Sequence, residues 1–379
     1  MSGLIEPRYL TSHIQSDLRE KMVFLGGPRQ VGKTTLAQSL IRDYRDQHPA
    51  YLTWDNLAHQ KRIREQLWPS TEKLIVLDEI HKFKAWRTLI KGFYDTLKNT
   101  HSFLITGSAR LDHFRKGGDS LLGRYHYYRL HPFSLAEVGH SRSNLESLFK
   151  FGGFPEPFLK QSERALRRWH MERLHRLVRI DLRDLEHVQD LDKVGVLAEE
   201  LPRRVGSPLS TQSLANDLSV DFKTVKRWIS ILDSLYYCFQ IPPLGAPKIK
   251  AVKKEQKLYL WDWSQVEDAG ARFENMVACH LLKFCHFHQD VDGRRMELRY
   301  LRDINKREVD FVVVRDKSPL FAVECKLSER ETPMQLRYFS ERTSIPKFYQ
   351  VHMGDTHKQV SDRISVLPFL KFSEIARLL

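Results

Sequence analysis

The fold of this chain is decided by a glycine-rich stretch that reads Gly26-Gly27-Pro28-Arg29-Gln30-Val31-Gly32-Lys33-Thr34-Thr35. From Gly27 to Thr34 it matches the phosphate-binding pattern G-x-x-x-x-G-K-[ST] at every fixed position. The apolar run Met22–Leu25 before it predicts a short buried strand, and we expect a helix from Thr34 to about Arg42. In this order, the turn and the helix N-terminus surround a phosphate with backbone N–H groups. The stretch therefore predicts an α/β domain that binds a nucleotide.

The loop residues have predictable roles. We expect Lys33 to reach the β- and γ-phosphates of ATP, and the hydroxyl of Thr34 to bind Mg²⁺. The predicted cofactor-binding residues of the loop are Gly27, Pro28, Arg29, Gln30, Val31, Gly32, Lys33, Thr34 and Thr35.

A second nucleotide motif follows in Leu74-Ile75-Val76-Leu77-Asp78-Glu79, an apolar run that ends in two carboxylates. Strands buried on both faces of a parallel sheet have this composition, and they deliver an acid to the metal at their C-terminal end. We expect Asp78 to belong to the ATP site and to hold Mg²⁺ through water. Glu79 is expected to orient or deprotonate the attacking water. The pair predicts a domain that hydrolyses ATP.

Two further positions extend the predicted ATP site. The strand predicted over Ser102–Ser108 ends in small polar residues, and strand C-terminal ends hold the ligands of open α/β sheets. Thr106 or Ser108 could therefore hydrogen-bond the water or the γ-phosphate; the alternative is an ordinary turn after the strand. Arg124 precedes the next predicted strand, and in a ring-forming ATPase such an arginine enters the neighbour's site to stabilise the transition state. The alternative for Arg124 is a solvated surface residue.

Composition limits the classes of protein to consider. A chain of 379 residues suggests two or three domains, and 41% hydrophobic with 28% charged residues is typical of a globular protein. The net charge of +14 favours a polyanionic partner such as nucleic acid. The N-terminal segment lacks the apolar core of a signal peptide, and no stretch approaches the length of a membrane-spanning helix. We therefore predict a cytoplasmic protein with no membrane partner.

The cysteines are predicted to be reduced thiols, because they form neither a C-x-x-C pair nor a short secreted framework. They are Cys238, Cys279, Cys285 and Cys325. The cluster Cys279-His280 with Cys285-His286-Phe287-His288 raises zinc as an alternative. Its spacing fits no common zinc finger and it lies in an apolar helical run, so the sequence favours core positions.

The middle of the chain, from about Phe151 to Pro202, is predicted to be helical and basic. Its arginines recur mostly three to five residues apart, which places several on one helical stripe. They are Arg164, Arg167, Arg168, Arg173, Arg176, Arg179 and Arg183. Interleaved acidic residues favour a salt-bridged solvent face, with direct contact to phosphates as the alternative.

A helix-turn-helix pattern follows. Short helices are predicted over Ser210–Leu218 and Phe222–Leu232, joined by a tight turn, with Tyr236–Pro242 as a wing strand. The second helix has a regular apolar face and an exposed basic face. The predicted core is Val225, Trp228, Ile229 and Leu232, and the predicted exposed cations are Lys223, Lys226 and Arg227. DNA contact is favoured, and a protein-contact module is the alternative.

The C-terminal block carries a second chemical signal. Glu324 and Lys326 alternate onto one face of a predicted strand, and a hairpin would bring Asp310 beside them. Two carboxylates and a lysine suit phosphodiester hydrolysis with Mg²⁺, because the acids hold the metal and the ammonium stabilises charge. Glu274, on a predicted helix, would complete the metal site. The alternative is a set of polar residues on an open sheet edge.

Taken in order, these segments resemble a prokaryotic AAA-type ATPase family. Its C-terminal half is catalogued as a domain of unknown function that combines a winged helix with a PD-(D/E)XK restriction-endonuclease-like fold. The resemblance runs from about Tyr9 to Lys347. It rests on GPRQVGKT, LIVLDE, FLITGS, LLGR, FGGFPEPF, LANDLSVDFKTVKRWISILDSLYYCFQIPP, ARFENMVACHLLK and EVDFVVV…FAVECK.

This resemblance implies a role for each matching residue. The implied ATPase residues are Lys33, Thr34, Asp78 and Glu79, with Ser108 similar to a first sensor and Arg124 similar to a trans-acting finger. The implied nuclease-type residues are Glu274, Asp310, Glu324 and Lys326, with Glu274, Asp310 and Glu324 as ligands of Mg²⁺ or Mn²⁺. A second-sensor arginine in the helical lid is not matched, although the arginines from Arg164 to Arg183 offer several candidates.

We therefore predict an α/β protein with an AAA-like P-loop parallel sheet at residues 1–150 and a helical lid or linker at 151–205. A winged helix at 206–262 and a PD-(D/E)XK nuclease-like domain at 263–379 complete the predicted chain. The predicted function is ATP hydrolysis coupled to DNA binding and Mg²⁺-dependent DNA cleavage, in a protein that could form a homo-oligomeric ring.

Two alternatives remain. The first is an ATP-dependent DNA-binding switch without nuclease activity. The second is a small-molecule P-loop kinase, against which the paired acids Asp78-Glu79 and the large basic C-terminal half count.

Overall fold

The computed structural model describes residues 7–44, 48–107, 121–182, 190–245, 255–328 and 334–379, with the backbone alone at 180–181. The chain separates into two compact units, residues 1–131 and residues 132–379. The finer division into four segments stays a prediction.

The described part of the N-terminal unit contains a five-stranded sheet in the order β2-β3-β4-β1-β5, and neighbouring strands run parallel. The strands are β1 (Met22–Gly26), β2 (Tyr51–Thr53), β3 (Leu74–Asp78), β4 (Ser102–Thr106) and β5 (Tyr125–Arg129). The helices are α1 (Thr11–Asp17), α2 (Lys33–Ser39), α3 (Leu57–Arg64) and α4 (Trp86–Leu97). This parallel sheet, with its helices, confirms the predicted α/β fold class.

The carboxyl ends of the parallel strands lie at the same end of the sheet. Every residue of β1 is buried, and β3 and β4 are buried after their first residue, as expected for strands covered on both faces. In the register of the sheet, Asp78 at the end of β3 pairs with Thr106 at the end of β4. Thr106 also pairs with Leu25 of β1. The phosphate loop and Asp78 therefore both lie at the carboxyl ends of the strands.

The C-terminal unit begins with helices. They are α5 (Leu135–Val138), α6 (Arg142–Phe151), α7 (Pro155–Lys160), α8 (Glu163–Arg176) and α9 (Leu191–Glu200). A π-helical turn, Leu177–Asp181, extends α8, and a 3₁₀ turn, Leu201–Arg204, follows α9. The helical character predicted for this region is therefore present, but in shorter pieces.

Two helices and a pair of strands come next: α10 (Thr211–Asp217), α11 (Phe222–Ser234), β6 (Cys238–Ile241) and β7 (Lys257–Leu260). Asp221 caps α11 by accepting hydrogen bonds from the N–H groups of Lys223 and Thr224. β6 and β7 pair antiparallel. The apolar face predicted for α11 is buried, and Lys223 and Lys226 are exposed on its other side.

The rest of the described unit is built on a six-stranded mixed sheet in the order β12-β13-β11-β10-β9-β8. The strands are β8 (Met296–Arg302), β9 (Glu308–Arg315), β10 (Ser318–Cys325), β11 (Phe348–His352), β12 (Lys358–Gln359) and β13 (Ile364–Pro368). The helices are α12 (Ala269–Asp290), α13 (Met334–Arg342) and α14 (Phe369–Ile375). β9 and β10 form the predicted hairpin, whose turn carries positive φ at Asp316 and Lys317.

Some predicted elements end elsewhere. The helix expected over Thr34–Arg42 begins at Lys33 and ends at Ser39, and the strand expected over Ser102–Ser108 ends at Thr106. Within the described ranges, no helix combines the length and the hydrophobicity that crossing a bilayer requires.

Candidate functional site

The phosphate loop has a shape that depends on glycine. Gly27 has φ +142° and Gly32 has φ +97°, a region that other residues rarely adopt. A Cβ atom on Gly27 would also lie 2.4 Å from the carbonyl oxygen of Leu130. The loop is therefore held tightly against the residue that follows β5. Its backbone can turn toward a phosphate only because these two positions carry no side chain.

Lys33 closes over this loop. Its Nζ atom donates hydrogen bonds to the carbonyl oxygens of Gly27 at 2.9 Å and Pro28 at 2.7 Å, and the residue is 7% exposed. The ammonium therefore lies inside the turn, where a phosphate would be bound. Arg8 lies outside every sequence motif, and it stabilises the loop by donating to the carbonyl of Val31 at 2.8 Å and that of His131 at 2.6 Å.

Asp78 collects hydroxyl donors at the end of β3. Thr34 Oγ1 donates to Oδ2 at 3.3 Å, Tyr51 donates to Oδ2 at 2.5 Å, and Thr106 Oγ1 donates to Oδ1. Burial, with the Asp78 charge, raises the pKa of Tyr51 well above its usual range, so the phenol stays protonated and acts as donor. Thr34 and Asp78, the predicted Mg²⁺ residues, are thus brought together. The sequence analysis did not select Tyr51, because no local pattern around it indicates a contact with Asp78.

Glu79 leaves the strand in a left-handed conformation, with φ +54°. Its N–H donates to the carbonyl of Thr106 at 3.0 Å. Its Oε2 lies 3.7 Å from His81 Nε2 and 3.6 Å from Lys82 Nζ. Burial lowers the pKa of His81, although the Glu79 charge opposes this shift. The carboxylate is therefore positioned directly after Asp78, next to a cation.

The remaining predicted ATPase residues are less informative. Arg124 donates to both oxygens of Asp95, from Nε at 2.8 Å and from Nη2 at 3.3 Å, and it lies at the start of β5. Arg124 therefore lies at the amino ends of the parallel strands, whereas the phosphate loop follows the carboxyl end of β1. At this position Arg124 cannot act on its own chain's nucleotide. A trans role stays a prediction. Ser108 lies outside the described residues.

The hydroxyl and carboxylate at Thr34 and Asp78 are suited to Mg²⁺, which prefers oxygen ligands. The loop above them has backbone and ammonium donors suited to phosphates. The residues present in the N-terminal unit therefore fit ATP with Mg²⁺.

A cluster of carboxylates in the C-terminal unit surrounds a lysine. Lys257, the first residue of β7, is fully buried, and its Nζ lies 3.2 Å from Glu274 Oε1, 2.5 Å from Glu308 Oε1 and 3.3 Å from Asp310 Oδ1. Tyr259 donates to Glu274 Oε1 at 2.6 Å. Burial alone would lower the pKa of Lys257, but the carboxylates outweigh it and raise that pKa well above its usual range. The sequence pattern gave no signal for Lys257.

Glu324 and Lys326 form the second half of this cluster. Lys326 Nζ donates to Glu324 Oε1 at 2.6 Å, and the Cys325 N–H donates to Asp310 Oδ2 at 2.8 Å. The hairpin therefore brings Asp310, Glu324 and Lys326 close together, as predicted. Burial, with the Asp310 charge, raises the pKa of Glu324 to about 8 and that of Glu274 to about 7. Both shifts reflect crowding of negative charge away from water.

The fit of this cluster to a divalent metal is poor as it is folded. No group of three His, Cys, Asp or Glu side chains among the described residues is arranged to hold a metal ion. Lys257 takes up one oxygen of both Glu274 and Asp310, two of the three predicted ligands. The third, Glu324, is 3% exposed and its Oε2 has no hydrogen-bond partner among the described atoms.

The zinc alternative is not supported by the geometry. The four cysteines are free and buried. Cys279 Sγ contacts the carbonyl of Leu260 at 3.2 Å, and His280 hydrogen-bonds two backbone groups, with Nδ1 at 2.8 Å from the Met276 oxygen and Nε2 at 3.1 Å from the Leu135 nitrogen. Cys279 and His280 therefore form hydrogen bonds with backbone groups in the protein interior and are not arranged around a metal.

The basic stripe of α8 is divided between surface and core. Arg167 lies 3.9 Å from Glu163, an exposed pair of the kind predicted. Arg173 instead packs over the ring of Phe154 at 3.9 Å, with Nη1 at 3.5 Å from the buried Asp262. Arg183 lies outside the described residues. At least one arginine of the stripe is therefore structural.

Comparisons with known proteins agree with the N-terminal site. Residues 19–139 match the family model described as an AAA domain. Residues 142–267 and 269–372 match two models described as domains of unknown function, DUF8612 and DUF4143. The first match, together with the phosphate loop, supports an AAA-type ATPase in the N-terminal unit. The other two leave the C-terminal unit without an assigned activity.

Three curated relatives carry the name uncharacterized protein. Proteins of Mycobacterium bovis and Mycobacterium tuberculosis are each 26% identical over 264 residues, which cover 68% of this chain and 58% of the relative. The chain thus spans little more than half the length of these relatives. A protein of Methanocaldococcus jannaschii is 24% identical, with 95% of this chain and 86% of the relative covered.

Solved structures share only a distant likeness. The Thermotoga maritima RuvB Holliday junction branch migration motor is 18% identical with a TM-score of 0.32, covering 63% of this chain and 90% of that one. The Bacillus subtilis DNA clamp loader delta protein is 10% identical with a TM-score of 0.28, covering 59% and 87%. These scores are too low to support a functional argument.

Proposed function

We propose that this protein is an ATP-driven switch, in which an AAA-type ATPase unit controls binding of DNA by the C-terminal unit. The main observation behind the proposal is the arrangement of Lys33, Thr34 and Asp78 at the carboxyl ends of the parallel strands. In this role Lys33 holds the β- and γ-phosphates, and Thr34 and Asp78 hold Mg²⁺. Glu79 orients or deprotonates the attacking water.

The DNA partner is supported by charge and by α11. The chain carries a net charge of +14, and Lys223 and Lys226 are exposed on the helix opposite its buried face. Cations spaced along one side of such a helix can neutralise neighbouring phosphates and release their counterions. Because α11 is capped by Asp221 and anchored by Trp228 in the core, its basic side is presented on a rigid support.

The ATPase part is tested with Lys33→Ala and Glu79→Gln. Lys33→Ala should lose ATP binding. Glu79→Gln should retain ATP binding and lose hydrolysis by roughly 10²-fold or more, since general-base contributions are about 10²–10⁴-fold. Hydrolysis in Glu79→Gln at the wild-type rate would exclude the role given to Glu79.

The DNA part is tested by fluorescence anisotropy over a range of salt concentrations, with ATP or with ADP. Lys223→Ala/Lys226→Ala should weaken binding and reduce the slope of log K against log salt by about 1.8, or 0.9 per lost phosphate contact. Lys61→Ala/Lys84→Ala, which removes two exposed cations from the N-terminal unit, is the charge-matched control. An affinity that is the same with ATP, with ADP and in Lys33→Ala would refute the switch.

DNA cleavage is a second candidate function. It is favoured by the Glu324–Lys326 pair and by the buried Glu324 Oε2 that lacks a partner among the described atoms. The test is cutting of linear, single-stranded and branched DNA with Mg²⁺ or Mn²⁺, in the wild type and in Lys326→Ala. Cutting that disappears in the variant would establish the nuclease. Absence of cutting with intact ATP turnover would leave the switch alone.

A further inference from the structure

Among the described residues, Lys257 is the most deeply buried cation that has no part in the proposed ATPase or DNA contacts. It is fully buried, and its ammonium lies within 2.5 to 3.3 Å of carboxylates from two different elements. Glu274 comes from α12, and Glu308 and Asp310 come from β9. An ammonium has three N–H donors, and here each can be directed to a different carboxylate.

This arrangement resembles a cation site that is already filled. Carboxylates that converge from separate elements are the donor set that a divalent ion uses. Here the shared charge at their centre is the Lys257 ammonium, which contacts two of the three residues predicted to hold Mg²⁺. A lysine and a metal ion cannot occupy the same few cubic ångströms, and their like charges repel. Binding of one therefore excludes the other.

We propose that Lys257 is the resident cation of this cluster, and that it excludes divalent metal from the C-terminal unit in the conformation described. This inference goes beyond the proposed function and does not rest on ATP or DNA binding. It implies that the cluster becomes a metal site only when the Lys257 side chain is removed or withdrawn. The donors then available are Glu274, Asp310 and the unpartnered Oε2 of Glu324.

The position of Lys257 in the chain gives this exclusion a structural link. Its backbone pairs with Ile241 in the β6–β7 sheet and bridges to Pro208, just before α10. The residue that neutralises the carboxylates therefore belongs to the same small sheet that follows α11. A shift of β7 relative to α12 would move the ammonium away from Glu274.

The experiment is Mn²⁺ binding, counted by electron paramagnetic resonance of the free ion, on the full chain without nucleotide or DNA. The variants are Lys257→Met and Asp310→Asn, alone and combined, with Lys358→Met as an exposed-lysine control from the same unit. Mn²⁺ held elsewhere, including at the phosphate loop, is common to all variants. Only binding that Asp310→Asn removes is assigned to the cluster.

We expect the wild type and Lys358→Met to have no Asp310-dependent site. Lys257→Met should gain one, with a Mn²⁺-dependent rise in its thermal midpoint that is absent from the combined variant. Loss of one bound Mn²⁺ when Asp310→Asn is made in the wild type would overturn the proposal, as would a folded Lys257→Met that gains no site.

Lys257→Met could fail to fold, because it leaves buried carboxylates without their cation. The wild type and Asp310→Asn then decide the exclusion: equal Mn²⁺ binding supports it and unequal binding refutes it. Loss of ATPase or DNA binding would not alter this result, since neither is measured.

Discussion

Acid should destabilise the C-terminal unit through one buried histidine. His280 is 2% exposed, and burial lowers its pKa from 6.5 to about 4. Its Nε2 accepts the N–H of Leu135 at 3.1 Å, so Nδ1 carries the proton that is donated to the Met276 oxygen at 2.8 Å. The Met276 hydrogen bond and the Glu137 charge raise this pKa, and the Lys283 charge lowers it, but burial has the largest effect. The folded unit therefore favours a neutral imidazole at His280.

The size of the effect follows from the two pKa values. A group whose pKa is depressed by folding contributes stability above its unfolded pKa, and that stability is lost as the pH falls from about 6.5 toward 4. With one pKa unit equal to about 1.4 kcal/mol, the loss between pH 7 and pH 5 is about 2 kcal/mol. Below pH 4 the total approaches roughly 3 kcal/mol.

The assay is urea unfolding at pH 7 and pH 5, comparing the wild type with His280→Gln. Glutamine can donate and accept but does not titrate, so other acid-sensitive groups cancel in the comparison. From pH 7 to pH 5, the free energy of unfolding of the wild type should fall by about 2 kcal/mol more than that of His280→Gln. Parallel losses in the two proteins would refute the argument that His280 must be neutral.

Three further predictions concern the N-terminal unit. Gly27→Ala should abolish ATP binding and lower the melting temperature, because the added Cβ would clash with the carbonyl oxygen of Leu130. Gly92 lies in a helix with open space around it, so Gly92→Ala should stabilise the protein by about 0.5–1 kcal/mol in thermal unfolding. Tyr51→Phe removes a hydroxyl from Asp78 and should cost about 1.5–3 kcal/mol in chemical unfolding; no change would mean that the bond is not formed. Glu79→Gln should trap ATP on the protein, measured as retained nucleotide after gel filtration, and rapid release as ADP would contradict this.

The geometry of the candidate ATP site was predictable because its signals are local. The loop residues are contiguous, and Asp78-Glu79 directly follow an apolar strand. Tyr51 was not predictable, because its hydroxyl reaches Asp78 only through the pairing of β2 beside β3. That neighbour relation depends on strand order, which no local pattern encodes.

The C-terminal cluster shows the same division. Asp310, Glu324 and Lys326 lie on one hairpin, so strand alternation and a short turn were enough to predict their proximity. Lys257 comes from a strand of another sheet, and lysines are ordinarily exposed. Its burial is a property of the tertiary structure. This residue changes the interpretation of the predicted metal ligands more than any feature of the motif itself.

The hydrogen bonds of Lys33 have a consequence for the kinetics of nucleotide binding. Because the ammonium donates to the Gly27 and Pro28 carbonyl oxygens, these two acceptors compete with the phosphates of ATP for the Lys33 donor. Association then includes an exchange step, in which Lys33 gives up internal hydrogen bonds as it binds the phosphates. Lys33→Ala consequently removes a brace as well as a ligand. Its loss of ATP affinity combines weaker attraction for the phosphates with the loss of two hydrogen bonds inside the loop.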